Sequence, residues 1–266
     1  MASSSLAAAF GPHTAHIDWC EENYAVSAHV AEFWNSSTGF LLCVPIAPVA
    51  WFTTLRRFQA RVDEKARFVL ILMCLAGVGS AWFHAQLSFA GQIFDELSVM
   101  WLILYSSLLV VGDGAAGLLG WFNRVAFNGI FLTCYVTLSC ALAWLAPVIS
   151  HVVCVLHLPF LVSVFVTTYR KHRAAVDTHC QVMFVVGICL IVAAALCWLL
   201  DRFFCQQITA NLPFYPQLHA WWHVLAYLSV WCGVCVGTYL RCLTDGHTAA
   251  ISVTAVGLPV MKLIDV

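Results

Sequence analysis

Charge is what this chain has least of: Asp, Glu, Lys and Arg together make up 9% of its 266 residues, against 62% hydrophobic. So few charges exclude an ordinary water-soluble domain, whose surface needs roughly a quarter of its residues charged. The 12 basic and 13 acidic residues nearly cancel, and no basic tail or low-complexity tract occurs, so nothing points to nucleic acid. The opening segment is not expected to be a secretory leader. Residues 1–32 have no apolar core and carry His13, His16, Asp18, Glu21 and Glu22, so this segment is expected to stay on the mature protein. What fills the chain instead is long apolar runs, with a mean hydropathy of +0.88. The expected class is all-α: a polytopic membrane protein built as a seven-transmembrane helix bundle.

The runs are each long enough to cross about 30 Å of hydrocarbon, and they predict spans at 34–54, 67–87, 93–112, 126–145, 147–168, 180–200 and 218–240. Three regions follow: an N-terminal segment 1–33, a transmembrane domain 34–240 and a tail 241–266. Arg56, Arg57, Arg61, Lys65, Arg67, Arg124, Arg170, Lys171, Arg173, Arg241 and Lys262 all fall on one side of this plan, and only Arg202 on the other. Cytosolic loops carry the excess of Lys and Arg, so the N-terminus is expected in a lumen and the C-terminus in the cytosol. The apolar end "AVGLPVMKLIDV" is too short for an eighth span and is expected on the surface.

With that topology, the few polar residues within the spans come to one depth. The second span ends at His84, the third begins at Asp95, and the seventh opens with "HAWWH", which holds His219 and His223. Ser80 and His84 are four apart, as are His219 and His223, so each pair shares a helix face. Three imidazoles with an open fourth position suit a catalytic zinc. H-x-x-x-H lacks the glutamate of the H-E-x-x-H enzymes, so a general base has to come from elsewhere, and Asp95 is the nearest candidate. The plainer role for Asp95 is to cap the third span. His151 and His157 read as hydrogen-bonded packing residues.

Ahead of the first span, "DWCEENY" and Glu32 set Asp18, Glu21, Asn23 and Glu32 close together in sequence. Hard oxygen donors suit Ca²⁺, although the spacing is not that of an EF-hand. The same Asp18 and Glu21 also read as a capping-box-like helix start. Of the 13 cysteines, only Cys20 and Cys205 face the oxidising side, which makes them the natural disulfide pair. The sequon at Asn35 lies too near the bilayer for glycosylation.

Taken together, "DWCEENY" with Glu32, "GSAWFH" followed by "GQIFDE", "DRFFC" and "HAWWH" resemble the motif set of the alkaline ceramidases. These are seven-span hydrolases of the endoplasmic reticulum and Golgi. The resemblance covers about residues 17–228 and implies zinc on His84, His219 and His223, with Ser80 and Asp95 in the catalytic centre. It also implies calcium on Asp18, Glu21, Asn23 and Glu32 with the carbonyl of Trp19, and a Cys20–Cys205 bridge. The implied substrate is ceramide, hydrolysed within the bilayer to sphingosine and a fatty acid, with no obligate protein partner. Two other classes share features. The progestin and adipoQ receptors, which use a similar zinc scaffold, would place it towards the cytosol. A transporter would spread ionisable residues across the bilayer, whereas here they gather at one end.

Overall fold

A computed structural model of the chain describes residues 13–40, 64–111, 117–126, 128–246, 249–253 and 259–263. Its helices are α1, helical over residues 33–40, then α2 (Glu64–Gln86), α3 (Phe89–Val110), α4 (Gly117–Ala126), α5 (Gly129–Leu145), α6 (Pro147–His172), α7 (Thr178–Asn211) and α8 (Leu218–Thr244). Among the described residues, five helices are long and apolar enough to cross a membrane, or six if the bent pair α4–α5 counts as one. The expected first span runs beyond the described residues after position 40, as do Cys43, Arg56, Arg57 and Arg61.

The elements start and stop where local chemistry dictates. Helix α3 begins four residues before the expected span because Ser88, in extended conformation, accepts a hydrogen bond from the Gly91 N–H. Asp95 therefore lies a full turn inside α3 and is not its cap. Asn128 likewise caps α5 through the Ile130 N–H, and this is where the chain bends by 86° between α4 and α5. Helix α7 continues past the expected end at 200 to Asn211, which carries Asp201 and Cys205 on the same rigid rod as the apolar span.

Helix α2 packs along α3, α7 along α8, and α3 also meets α6 and α8, so α3 and α8 form the centre. The outer helices turn large apolar side chains outward, Leu138, Leu145, Leu156 and Phe203 among them. An apolar exterior of this extent belongs against lipid.

The N-terminal segment is tied to α2 and α3 by the backbone. The last carbonyls of α2 have no partners within the helix. Ala31 N–H donates to Ala85 O, Glu32 N–H to His84 O, and Thr14 and Ala15 N–H both to Leu87 O. Ile17, Ala31, Phe83 and Leu87 seal this junction with a small apolar cluster. The tail carries structure that the sequence did not announce: Ala249–Val253 (β1) pairs antiparallel with Pro259–Leu263 (β2), and β1 packs on α7 and α8. Ile251 is buried, and its N–H reaches the Asp177 carboxylate at 2.9 Å.

Candidate metal centre and lipid cavity

The histidines of two helix ends converge. His84 comes from the last turn of α2, and His219 and His223 from the first two turns of α8. Their ring centroids lie 4.7–5.1 Å apart, and all three are buried. One ligand atom from each lies within 4.8 Å of the others. Among the described residues this is the one such group of three or more His, Cys, Asp or Glu.

The surrounding hydrogen bonds assign the protons. The Glu32 carboxylate meets His84 Nδ1, so that nitrogen carries the hydrogen and Nε2 is left bare, buried and without a partner. Thr38 Oγ1 donates to the Trp34 carbonyl at 2.8 Å and so accepts from His223 Nδ1 at 3.0 Å. The His223 Nε2 lone pair then faces Ser80 Oγ, 3.2 Å away. His219 Nδ1 is also buried without a partner. Two orphaned ring nitrogens, His84 Nε2 and His219 Nδ1, beside a His223 Nε2 whose ring is oriented by Thr38 behind it, are the donors a histidine-held metal needs. The donor set fits zinc.

The backbone of α8 is held separately. Gln217 precedes it in the left-handed conformation and offers no side-chain cap. Tyr215 hydroxyl accepts from Leu218 N–H at 3.1 Å and donates to buried Asp201, whose carboxylate also takes the N–H of Cys20 at 3.2 Å and that of His219. Asp201 thus caps α8 from a different helix. The disulfide Cys20–Cys205 forms as expected and fixes the same corner. Next to it, the Trp19 indole stacks on His219 at 3.7 Å between centroids, and the Arg202 guanidinium lies over the Trp19 ring at 5.9 Å from its centroid.

Ser80 sits in a narrow seam. A Cβ on Gly39 would come within 3.0 Å of Ser80 Oγ, and one on Gly79 within 3.2 Å of Asp95 Cα, so only glycine lets α1 and α3 approach here. Ser80 and Asp95 both line a cavity of about 300 Å³, as do His219 and His223. Away from this polar end the lining is almost wholly apolar. On α8 it runs from His219 to Val236, about 25 Å of helix at 1.5 Å per residue.

The acidic N-terminal set does not gather to the same spacing as the histidines. Glu21 accepts the Trp34 and Asn35 N–H groups at 2.6 and 2.9 Å, which makes it the cap of α1; no helix starts at Asp18. Asp18 accepts from Asn23 Nδ2. Glu32, fully buried, also takes Trp19 N–H and Asn35 Nδ2. Burial pushes the Glu32 carboxyl up to about 8 despite the donors from Asn35 and Trp19, and nearby Asp18 adds to the rise. Burial raises Glu21 too, partly offset by its backbone donors. Asn23 Oδ1 is buried with no hydrogen-bond partner.

The family model for ceramidases matches residues 11–261, nearly the whole chain. The chain belongs to the ceramidase family. It is 27% identical over 222 residues to an alkaline ceramidase of Drosophila melanogaster, covering 83% of this chain and 75% of that one. Against an alkaline ceramidase of Saccharomyces cerevisiae it is 27% identical over 260 residues, covering 91% and 81%. Against alkaline ceramidase 1 of Mus musculus the figures are 28% over 235 residues, 84% and 78%.

Sequence reasoning missed Thr38, Asp201 and Tyr215 in this ceramidase family member. A carboxylate well inside an apolar helix was a signal for Asp201. Thr38 and Tyr215 carried none. His157, read as a packing residue, does bond to the Val153 carbonyl at 2.6 Å, while the side chain of His151 lies outside the described residues.

Proposed function

We propose that this ceramidase family member hydrolyses the N-acyl bond of ceramide, using zinc held by His84, His219 and His223. One observation carries the reading: a buried histidine triad beside Ser80 and Asp95 stands at the polar end of a long apolar cavity. A lipid whose amide joins long chains to a polar head has that same profile, and the related proteins named above are ceramidases.

Bound there, zinc would supply Lewis acidity, both to a water molecule and to the amide carbonyl. The chain's own groups do the rest. Asp95 takes a proton from the attacking water and returns it to the departing amine, so the C–N bond breaks to give a fatty acid and a sphingoid base. Ser80 now donates towards the bare His223 Nε2; once that lone pair is engaged, its hydroxyl is free to donate to the developing oxyanion. Glu32 and Thr38 hold His84 and His223 in the tautomers whose bare Nε2 could bind a metal.

We further propose a second cation, calcium on Asp18, Glu21, Asn23, Glu32 and the Trp19 carbonyl, on the strength of the orphaned Asn23 Oδ1 and of the charge that Asp18 brings to Glu32 and Glu32 to Glu21. It would offset that repulsion and brace the segment over the site. We place the protein in the endoplasmic reticulum or Golgi membrane as a seven-span bundle (34–240), with the segment 1–33 lumenal and the tail 241–266 cytosolic. The lopsided basic residues support that orientation. The receptor reading is not favoured by the family match.

Purified protein in detergent should release fatty acid from N-acyl sphingosines in proportion to its bound zinc, lose the activity to a strong chelator and regain it with added zinc. Zinc-loaded protein inert on every ceramide tested would overturn the proposal.

A further inference from the structure

Hydroxyls inside apolar helices ordinarily give their proton to a carbonyl one turn back. This chain follows the rule: Ser98 donates to Phe94 O, Ser107 to Ile103 O, Thr238 to Val234 O, and Ser229 crosses to Gly187 O. Ser106 does not. It is 8% exposed, its hydroxyl has no hydrogen-bond partner, and it lines the cavity in a stripe of α3 otherwise made of Leu102, Ile103 and Leu109.

Its depth follows from the helices. Ser106 stands eleven residues beyond Asp95 on α3, about 16 Å farther from the metal centre. A Cβ on Gly237 of α8 would touch Val110 and Leu109, so Ser106 faces α8 about one turn nearer the histidines, at the level of Gly233 and Val234. Both line the cavity as well, and Gly233 leaves the wall there without a side chain. Ser106 therefore borders an apolar chamber with a buried hydroxyl that no group of the chain serves, opposite a stretch of α8 where Gly233 adds no side chain and the ring of Phe165 is the nearest neighbour, at 3.7 Å from where a Cβ would stand.

We propose that Ser106 is a specificity residue: the cavity takes a lipid chain bearing a hydroxyl about 16 Å along it from the amide, and Ser106 hydrogen-bonds that hydroxyl. The inference rests on the proposed ceramide hydrolysis and names the subclass of substrate. A buried hydroxyl satisfied by one substrate and left unpaired by another discriminates between them. A single neutral hydrogen bond sets the scale at about tenfold, or 1.4 kcal/mol.

The test walks a hydroxyl along the N-acyl chain of ceramides of equal length, and in a second series along the sphingoid chain, and reads kcat/KM relative to the unsubstituted substrate. Wild-type protein should prefer one deep position in one of the two series by about tenfold. Ser106→Thr should keep the preference and Ser106→Val, equal to Thr in size but without a hydroxyl, should lose it. A preference that survives in Ser106→Val, or its absence from both wild-type series while plain ceramide is hydrolysed, overturns the inference alone. Failure of the wild type on every ceramide overturns the proposed function and this inference with it.

Discussion

Glu32 is where the sequence-based and structural readings diverge in a measurable way. The sequence puts it among calcium ligands, so its loss should change the calcium requirement and leave zinc in place. In the structure its carboxylate serves three donors: Trp19 N–H, Asn35 Nδ2 and His84 Nδ1. Glu32→Ala would strand all three in a buried site. At about 1–3 kcal/mol for each unsatisfied donor the total is roughly 3–9 kcal/mol, enough to unfold a domain of ordinary stability. That variant would confuse misfolding with loss of metal. Glu32→Gln separates them. Its amide oxygen can still serve Asn35 and His84 while the NH₂ turns to Trp19, so one bond is lost and, at a pH above about 8 where the Glu32 carboxyl is ionised, the bond to His84 falls from charge-assisted to neutral, about half as strong. Changes behind a metal-bound histidine typically weaken metal affinity by about 10- to 100-fold. The assay is competition for zinc against a chromophoric chelator, with wild type and Glu32→Gln purified in the same detergent and calcium varied across the series. Zinc affinity in Glu32→Gln within about twofold of wild type, together with activity restored by calcium, would refute the orienting role and leave Glu32 to calcium alone.

Four further outcomes are expected. His223→Ala should lower bound zinc and turnover together, whereas Asp95→Asn should keep zinc and lose about 10²- to 10⁴-fold in rate; a normally active Asp95→Asn would remove Asp95 from the mechanism and point to Glu96. Gly79→Ala, whose methyl would stand 3.2 Å from Asp95 Cα, should lower kcat about tenfold at unchanged zinc content, and an unaltered kcat would show that the α2–α3 seam does not set the geometry. Tyr215→Phe removes the acceptor for Leu218 N–H, so zinc affinity should fall by about tenfold; equal affinity would confine Asp201 and Tyr215 to a purely structural role. Peptide mapping without reductant should recover Cys20 and Cys205 as one linked pair, and free thiols at both positions would contradict the bridge.

How much of this could be read from the sequence depended on the distance over which each feature is encoded. His219 and His223 announce themselves because four-residue spacing fixes a shared face. His84 joins them because alternating span direction puts the end of one span and the start of another in the same leaflet. The same bookkeeping left Cys20 and Cys205 as a pair. Glu32 was legible only in part: a carboxylate at the edge of a span demands a partner, but nothing local says that the partner is His84, 52 residues on. Thr38 on His223 is a tertiary contact between residues whose pairing nothing local announces, and Asp201, although a carboxylate in an apolar helix, gives no local sign that what it serves is the start of α8. Helix ends were misplaced where caps act, at Ser88 and Asn128, since hydropathy senses the bilayer and not the hydrogen bond that starts a helix. The tail hairpin escaped because two five-residue strands leave hardly any periodic signal.

The contact between Thr38 and His223 spans 185 residues, and Trp19 and Glu32 likewise sit on histidines contributed by later helices. A ribosome adding roughly 5–20 residues per second needs about 10–40 s to travel from one to the other. Glu32 can meet Trp19, Asn35 and His84 as soon as α2 is made, but Thr38 stays without His223 throughout that interval, and of the three histidines only His84 is present. Only when α7 and α8 have emerged can the bridge, the cap on α8 and the histidine triad close together. A nascent chain truncated before His219 therefore has no stored catalytic activity to release. The free Cys20 thiol marks each unfinished molecule, chemically distinguishable from the completed one until Cys205 on α7 arrives.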